Sequence, residues 1–295
     1  MPLLSLNLRG AIVMVLAMLG FAVEDAMIKL LAGALPVGQI IGLLGAGGAV
    51  VFAILCRSRG QRLWDNGFLE PAILLRNGAE LVGTLGFVTA IALIPLSTAS
   101  AILQAAPLLV TLGAATFLGE PVGWRRWAAI LVGFGGVLLI IRPGTDGFDW
   151  LSLFAVQGVL GLAIRDLATR RVAATVSSLQ LSFMAFLMLI PASAILLALG
   201  GVAPVAMTIS QTGLIGAAVL IGAVAYYGIT YAMRVGEISF VTPFRYSRMI
   251  FALIIGMAIF GEDPDHLTLM GAAIIIASGL YTLWREQVVK SAPPA

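Results

Sequence analysis

The stretches GFAVEDAMIK (Gly20–Lys29) and GLAIRDLATR (Gly161–Arg170) decide the fold, because they are one pattern written twice, 141 residues apart. Gly20, Ala22 and Asp25 return as Gly161, Ala163 and Asp166, and the cation Lys29 returns as Arg170. Further on Gln39 returns as Gln180. At a spacing of 142, Gly86, Ala90, Ser97, Gly119 and Glu120 meet Gly228, Ala232, Ser239, Gly261 and Glu262. With one more residue inserted, Gly136 and Arg142 meet Gly279 and Arg285. Order and register persist along the whole half-chain, which no single match would establish.

Each copy consists of apolar runs. Of the 295 residues 60% are hydrophobic and 11% charged, and mean hydropathy is +1.06. A soluble domain carries about 45–50% apolar and about 25% charged residues, so an ordinary water-soluble enzyme is excluded. A helix needs about 20 apolar residues to cross a bilayer. Cutting the chain at charges and turn residues predicts ten all-α spans, near 10–31, 35–56, 72–94, 97–118 and 123–142, then 150–170, 177–200, 211–234, 238–260 and 266–284. The short links, such as Pro95-Leu96, leave no room for a soluble module and make consecutive helices antiparallel neighbours. Thirty-four glycines suit close helix packing in lipid. The first apolar run continues through Ala26, Met27 and Ile28, so it reads as one spanning helix rather than a cleaved leader.

Cations orient the chain. With the N-terminus cytoplasmic, that side collects Arg9, Arg57, Arg59, Arg62, Arg125, Arg126, Arg170, Arg171, Arg234, Arg285 and Lys290, whereas Lys29 and Arg142 lie near helix ends on the other. This bias predicts an inner-membrane protein with both termini inside. It also removes the net charge of +3 as a nucleic-acid signal. Trp64, Trp124, Trp127, Trp150 and Trp284 fall near helix ends, where indole rings favour the headgroup zone. Five spans per copy is an odd number, so the two copies, 10–142 and 150–285, enter the bilayer in opposite orientations. Such an inverted repeat has two related conformations and a site near the midplane where the copies meet.

The segment Leu96-Ser97-Thr98-Ala99-Ser100-Ala101, the run Phe117-Leu118-Gly119-Glu120-Pro121-Val122-Gly123-Trp124 and the run Gly133-Phe134-Gly135-Gly136-Val137 ending in Ile141-Arg142-Pro143-Gly144 resemble the EamA domain of the drug/metabolite transporter superfamily. Phe260-Gly261-Glu262 and Ile276-Ala277-Ser278-Gly279 repeat the resemblance more loosely. The likeness implies ten helices in a five-plus-five inverted arrangement that move small metabolites, often amino acids outward. Its motifs describe the scaffold and say little about the substrate.

An ionisable side chain at bilayer depth costs about 2.5 kcal/mol or more, so each one needs a partner or a wet cavity. Asp25 with Lys29 and Asp166 with Arg170 stand at i,i+4 and are expected to pair along their own helices, as are Arg76 and Glu80. Glu24 and Arg165 occupy equivalent repeat positions with opposite charge. Glu80, Thr84 and Phe87 on one face, with Ser100 and Gln104 a turn apart, either line a cavity or bond to neighbouring backbone. Gln157 joins the candidate lining. Arg245 and Arg248 have no acid within a turn; they meet acids of other helices, Glu24 or Glu80 among them, or hold a substrate carboxylate in a bidentate fork. Tyr227, Tyr231 and Tyr246 offer flat faces with a polar tip, for packing or for an amphipathic solute. Pro107 and Pro243 are candidate helix hinges.

The sequence holds no GxxxxGK[ST], HExxH or GxSxG, the lone Cys56 has no His beside it, and the single His266 forms no metal cluster. No enzymatic site, cofactor or metal is expected, and nothing requires an oligomer. The expected partners are the lipid bilayer and a small-molecule substrate. The reading is a carrier working by alternating access, exporting amino acids, aromatic ones among them. Uptake of a nucleoside-like metabolite such as S-adenosylmethionine is the rival within transport, and a channel or passive scaffold the rival outside it.

Overall fold

The computed structural model describes residues 2–63, 66–117, 119, 123–145, 147–173, 175–235 and 238–290. Trp64, Leu118, Glu120, Pro121, Val122 and Glu237 lie outside the described residues, as do the side chains of Arg234, Ser239 and Lys290. Among the described residues there are helices and no strands.

The first copy runs α1 (Pro2–Ala32), α2 (Val37–Ser58), a 3-10 turn (Asn66–Leu69), α3 (Pro71–Leu93), α4 (Leu96–Leu103), α5 (Ala106–Phe117) and α6 (Trp124–Ile141). The second runs α7 (Ser152–Thr169), α8 (Ser178–Gly200), α9 (Ile209–Val235), α10 (Ile238–Val241), a 3-10 turn (Thr242–Tyr246), α11 (Ser247–Phe260) and α12 (His266–Lys290). Among the described residues nine stretches are long and apolar enough to cross a membrane. α3 has the length as well, but Arg76, Asn77 and Glu80 lower its hydropathy. The helix limits follow the apolar runs closely except at the two ends, where α1 begins at Pro2 and α12 extends to Lys290.

Two spans are broken near their middle, and proline accounts for both. Pro107 has no N–H to give the Leu103 carbonyl a turn behind it, so α4 closes with tight i→i+3 bonds from Gln104 and Ala105. Pro107 then sits in the first turn of α5, where a missing N–H costs nothing. Pro243 likewise stands in the 3-10 turn that separates α10 from α11.

Burial runs opposite to that of a soluble protein. Leu199, Ile209 and Val224 are 73–94% exposed, while Arg76, Glu80 and Ser100 are at most 5% exposed. Hydrocarbon makes exposed apolar side chains costless and drives polar groups inward. Trp124, Trp150 and Trp284 lie on the outer surface at helix ends. The core collects Phe52, Ile91, Leu96, Ile102, Leu108 and Met249 between the two copies.

Glycine makes the tightest seam possible. Along α3 and α7, Gly83 and Gly86 face Gly161 and Gly158, and a Cβ on Gly86 would lie 2.6 Å from the Gly158 amide nitrogen. Small residues permit this backbone contact, which dispersion then stabilises. The other main seams join α1 to α9, α2 to α8 and α6 to α12.

Candidate functional site

Charged side chains string down the interior of the bundle. Glu80 on α3 is the hub. It accepts from Arg165 Nη1 of α7 at 3.3 and 3.5 Å, from Arg76 Nη2 at 3.3 Å, and from the Thr84 hydroxyl at 3.5 Å. Arg76 also donates to Asn77 Oδ1 and to the Tyr226 hydroxyl, at 3.0 and 3.1 Å. Arg165 turns its Nε and Nη2 to Asp166 Oδ1, at 2.9 and 2.8 Å. Arg245, in the 3-10 turn, reaches Asp166 Oδ2 only at 3.9 Å, so it is the most loosely held cation of the cluster.

A second group is centred on α1. Arg248 donates through Nε and Nη2 to Asp25 Oδ2, at 3.1 and 2.6 Å, and its guanidinium lies over the rings of Phe21 and Phe87. Planar guanidinium accommodates such stacking together with a charge-assisted bond. Glu24, beside Asp25, has neither hydrogen bond nor ion pair among the described residues.

At the far end Glu262, in the link between α11 and α12, staples the copies together. Its carboxylate accepts from the Leu96 and Ser97 amides at 2.5 and 2.9 Å and from the Ser97 hydroxyl at 2.7 Å, capping the N-terminus of α4. Lys29 stands 3.7 Å away and donates to the Ile94 and Ile91 carbonyls at 2.5 and 3.3 Å. An anion at a helix N-terminus satisfies free amides and favours the dipole. Outside the bundle Arg142 pairs with Asp265, and this contact holds the Asp265 carboxyl down at about 2, helped by the Thr268 amide.

Arg76–Glu80 pairs along its own helix as expected, but the other two i,i+4 expectations fail. Asp25 turns to Arg248 rather than Lys29, and Asp166 to Arg165 and Arg245 rather than Arg170. A buried charge gains most where several donors converge in low dielectric: Arg248 and Arg245 reach these acids from other elements, while Arg165 is the neighbour of Asp166 on α7 itself. Arg245 and Arg248 do meet acids of other helices, but these are Asp166 and Asp25 in place of Glu24 or Glu80.

The remaining candidates divide. Gln157 donates to the Val82 carbonyl at 3.2 Å, tying α7 to α3 beside the cluster. Ser100, Gln104 and Tyr246 are buried at or near the two helix breaks, and Ser100 Oγ, Gln104 Nε2 and the Tyr246 hydroxyl find no hydrogen-bond partner among the described residues. Tyr246 is pressed against Gly279 of α12, where any Cβ would collide with the hydroxyl. Tyr227 is 44% exposed on the outer face, and Tyr231 lies under the Arg9 guanidinium at 5.6 Å, so neither joins the ion pairs. Tyr226 does, with Phe52 and Phe186 packed round its ring at 6.1 and 5.8 Å. Nothing in the sequence separates Tyr226 from Tyr227 except the 100° turn of a helix per residue.

Two cavities open away from the charges. One of about 440 Å³ faces outward between α6 and α12, past Trp124, Val132 and Tyr281, and one of about 610 Å³ opens near Arg142 and Thr145. Neither is lined by the residues of the cluster.

A profile of the EamA-like transporter family matches residues 8–142 and 149–284. The chain is 30% identical over 215 residues to a riboflavin transporter of Rhizobium johnstonii, covering 72% of this chain and 70% of that one. It is 28% identical over 282 residues to the pseudopaline exporter CntI of Pseudomonas aeruginosa, covering 93% and 96%. An S-adenosylmethionine uptake transporter of Rickettsia bellii is 24% identical over 218 residues, 74% of each chain. A solved crystal structure shares the fold at a TM-score of 0.63 and 20% identity, covering 96% of this chain and 98% of its own. The family and these relatives are named for transport and not for catalysis, and they carry different solutes in different directions.

Proposed function

The chain belongs to the EamA-like transporter family, and we propose that it is an inner-membrane carrier built of ten spans in two inverted copies, 10–142 and 150–285, with both termini cytoplasmic. The packing seams carry this reading. The repeat offset sends α1 to α7, α2 to α8, α3 to α9, α4 and α5 to α10 and α11, and α6 to α12. Under that exchange the α1–α9 seam becomes α7–α3, the α2–α9 seam becomes α8–α3, and α1–α11 becomes α7–α5, while α2–α8 and α6–α12 return to themselves. A two-fold relation between the halves would produce this exchange, and it supports alternating access, in which the halves rock about a site between them.

The site proposed is the ion-pair cluster of Glu80, Arg165, Asp166 and Arg245, with Glu24 and Arg248 beside it and Tyr226 in place of Tyr227. Arg245, free to leave a 3.9 Å contact, is the group to take a substrate carboxylate. The substrate class is amino acids moved outward, with aromatic ones favoured by the ring cluster of Phe52, Phe186 and Tyr226. That same cluster favours a second reading, uptake of a ring-bearing metabolite, the kind of solute for which the riboflavin and S-adenosylmethionine transporters are named. Counterflow in liposomes of purified protein, competed by amino acids, riboflavin and S-adenosylmethionine in turn, tests both. Arg245→Gln should lower counterflow of a carboxylate-bearing amino acid far more than that of its amide. Equal loss for both, with a lowered melting temperature, returns Arg245 to a structural role. Flux that neither saturates nor is competed would make the protein a channel.

A further inference from the structure

We propose that Glu24 is the proton-binding residue of this carrier, the group whose protonation is linked to the movement of the halves; the link to transport rests on the carrier reading above. The first observation is one of pairing. Asp25, Glu80, Asp166 and Glu262 each engage at least one cation in the bundle, whereas Glu24 engages none among the described residues. The charges that bear on it are Asp25 at its side and Arg248 of α11, and Arg248 gives two hydrogen bonds to Asp25.

The second observation is an asymmetry between the copies. The repeat offset places Glu24 on Arg165 and Gly222 on Glu80. At the α3–α7 seam these positions hold the Arg165–Glu80 ion pair, which joins the two copies. At the equivalent α1–α9 seam the matching positions hold a carboxylate and a glycine, and Glu24 Oε1 fills the place that a Cβ on Gly222 would take. The acid is therefore packed on the bare backbone of α9, in the position of an ion pair that has lost its counter-ion.

An ionised carboxylate without a partner at this depth is disfavoured, and binding a proton removes the charge. A metal ion is the poorer occupant, because a hard cation requires about six oxygen ligands and no cluster of three acid, His or Cys side chains occurs among the described residues. A proton needs no coordination shell. The other titratable groups that α3 and α9 bring to the cluster, Glu80 and Tyr226, are engaged by Arg76, and Glu80 also by Arg165. Linkage to motion follows from Arg248. With Glu24 ionised, Arg248 is attracted to two adjacent carboxylates of α1; with Glu24 protonated, it belongs to Asp25 alone. Because Arg248 stands in the first turn of α11, just after the 3-10 turn, the proton changes how α1 is tied to the broken span.

The test needs no substrate. Infrared difference spectra of the full chain in liposomes, titrated with H⁺ and repeated in D₂O, should show the C=O stretch of one half-buried carboxylic acid gaining intensity as pH falls. Glu24→Gln should lose that band, and Glu24→Asp should keep it. Asp25→Asn, which frees Arg248 to face Glu24, should move its titration to lower pH, because a nearby cation favours the ionised form. A titrating band that survives Glu24→Gln, or the absence of any such band in the wild-type protein, overturns the proposal. A second arm compares counterflow and pH-gradient-driven accumulation of phenylalanine and of riboflavin. Measured relative to its own counterflow rate, Glu24→Gln should lose the response to the gradient; an unchanged response overturns the linkage. Absence of counterflow with every solute tried would count against the carrier reading, while the infrared band judges Glu24 independently.

Discussion

Replacing Glu262 is expected to damage the join between the copies, and the structure sets the size of the effect. The carboxylate accepts three hydrogen bonds at 2.5–2.9 Å from Leu96 and Ser97 and stands 3.7 Å from Lys29. Its side chain is 8% exposed. A hydrogen bond to a charged group is worth about 1.5–3 kcal/mol, and truncating one member of a buried charged group costs roughly 3–5 kcal/mol. Lys29 keeps the Ile91 and Ile94 carbonyls, so its ammonium is not stranded. Glu262→Ala should therefore cost about 3–4 kcal/mol, a loss of two to three orders of magnitude in the folding equilibrium. Glu262→Gln, which leaves one acceptor and turns an amide N–H towards the α4 donors, should cost about half as much. Lys29→Gln in the Glu262→Ala background should add under ~1 kcal/mol beyond its own effect, because the two charges are not in direct hydrogen-bond contact. The assay is unfolding of the purified protein in mixed micelles, followed by tryptophan fluorescence. Wild-type stability in Glu262→Ala, or equal loss in the Ala and Gln variants, would refute the view that this carboxylate holds α4 through its free amides.

Gly161→Ala should separate α3 from α7 and cost about 1–3 kcal/mol by overpacking, seen as a lower unfolding midpoint, whereas Gly213→Ala, which meets open space, should cost nothing. The Arg142–Asp265 pair should make a small contribution to stability with a defined sign. The folded carboxyl titrates at about 2 against an ordinary 3.8, so the contribution is present above about pH 4 and disappears as pH falls towards 2. Asp265 is about half exposed, so screening holds this to under ~1 kcal/mol. Asp265→Asn should flatten that part of the stability curve, and an unchanged curve would contradict the assignment. For topology, a thiol placed at Gly60 should react from the cytoplasmic side and one at Gly201 from the other, in a Cys56→Ser background; reaction of both from one side would contradict the inverted arrangement.

Much of the architecture was legible in the residues. Apolar run length fixes where helices lie because a bilayer crossing requires a set number of turns, and the 141- to 143-residue register exposes the duplication. Pro107 and Pro243 marked the two broken spans because a missing N–H has a local effect. The i,i+4 spacing found Arg76–Glu80, since both ends lie on one helix. The same rule misled at Asp25 and Asp166, whose partners are Arg248 of α11, Arg245 of the second 3-10 turn and, for Asp166, also its sequence neighbour Arg165. Helical spacing says which side chains share a face and nothing about which faces meet. That decision belonged to the tertiary packing. It took glycine contact along α3 and α7 to bring Glu80 to Arg165, chose Tyr226 over its neighbour Tyr227, and left Glu24 against Gly222. Pairing in a low-dielectric interior follows three-dimensional convergence of donors and acceptors, a property of the packed bundle that no single helix carries in its sequence.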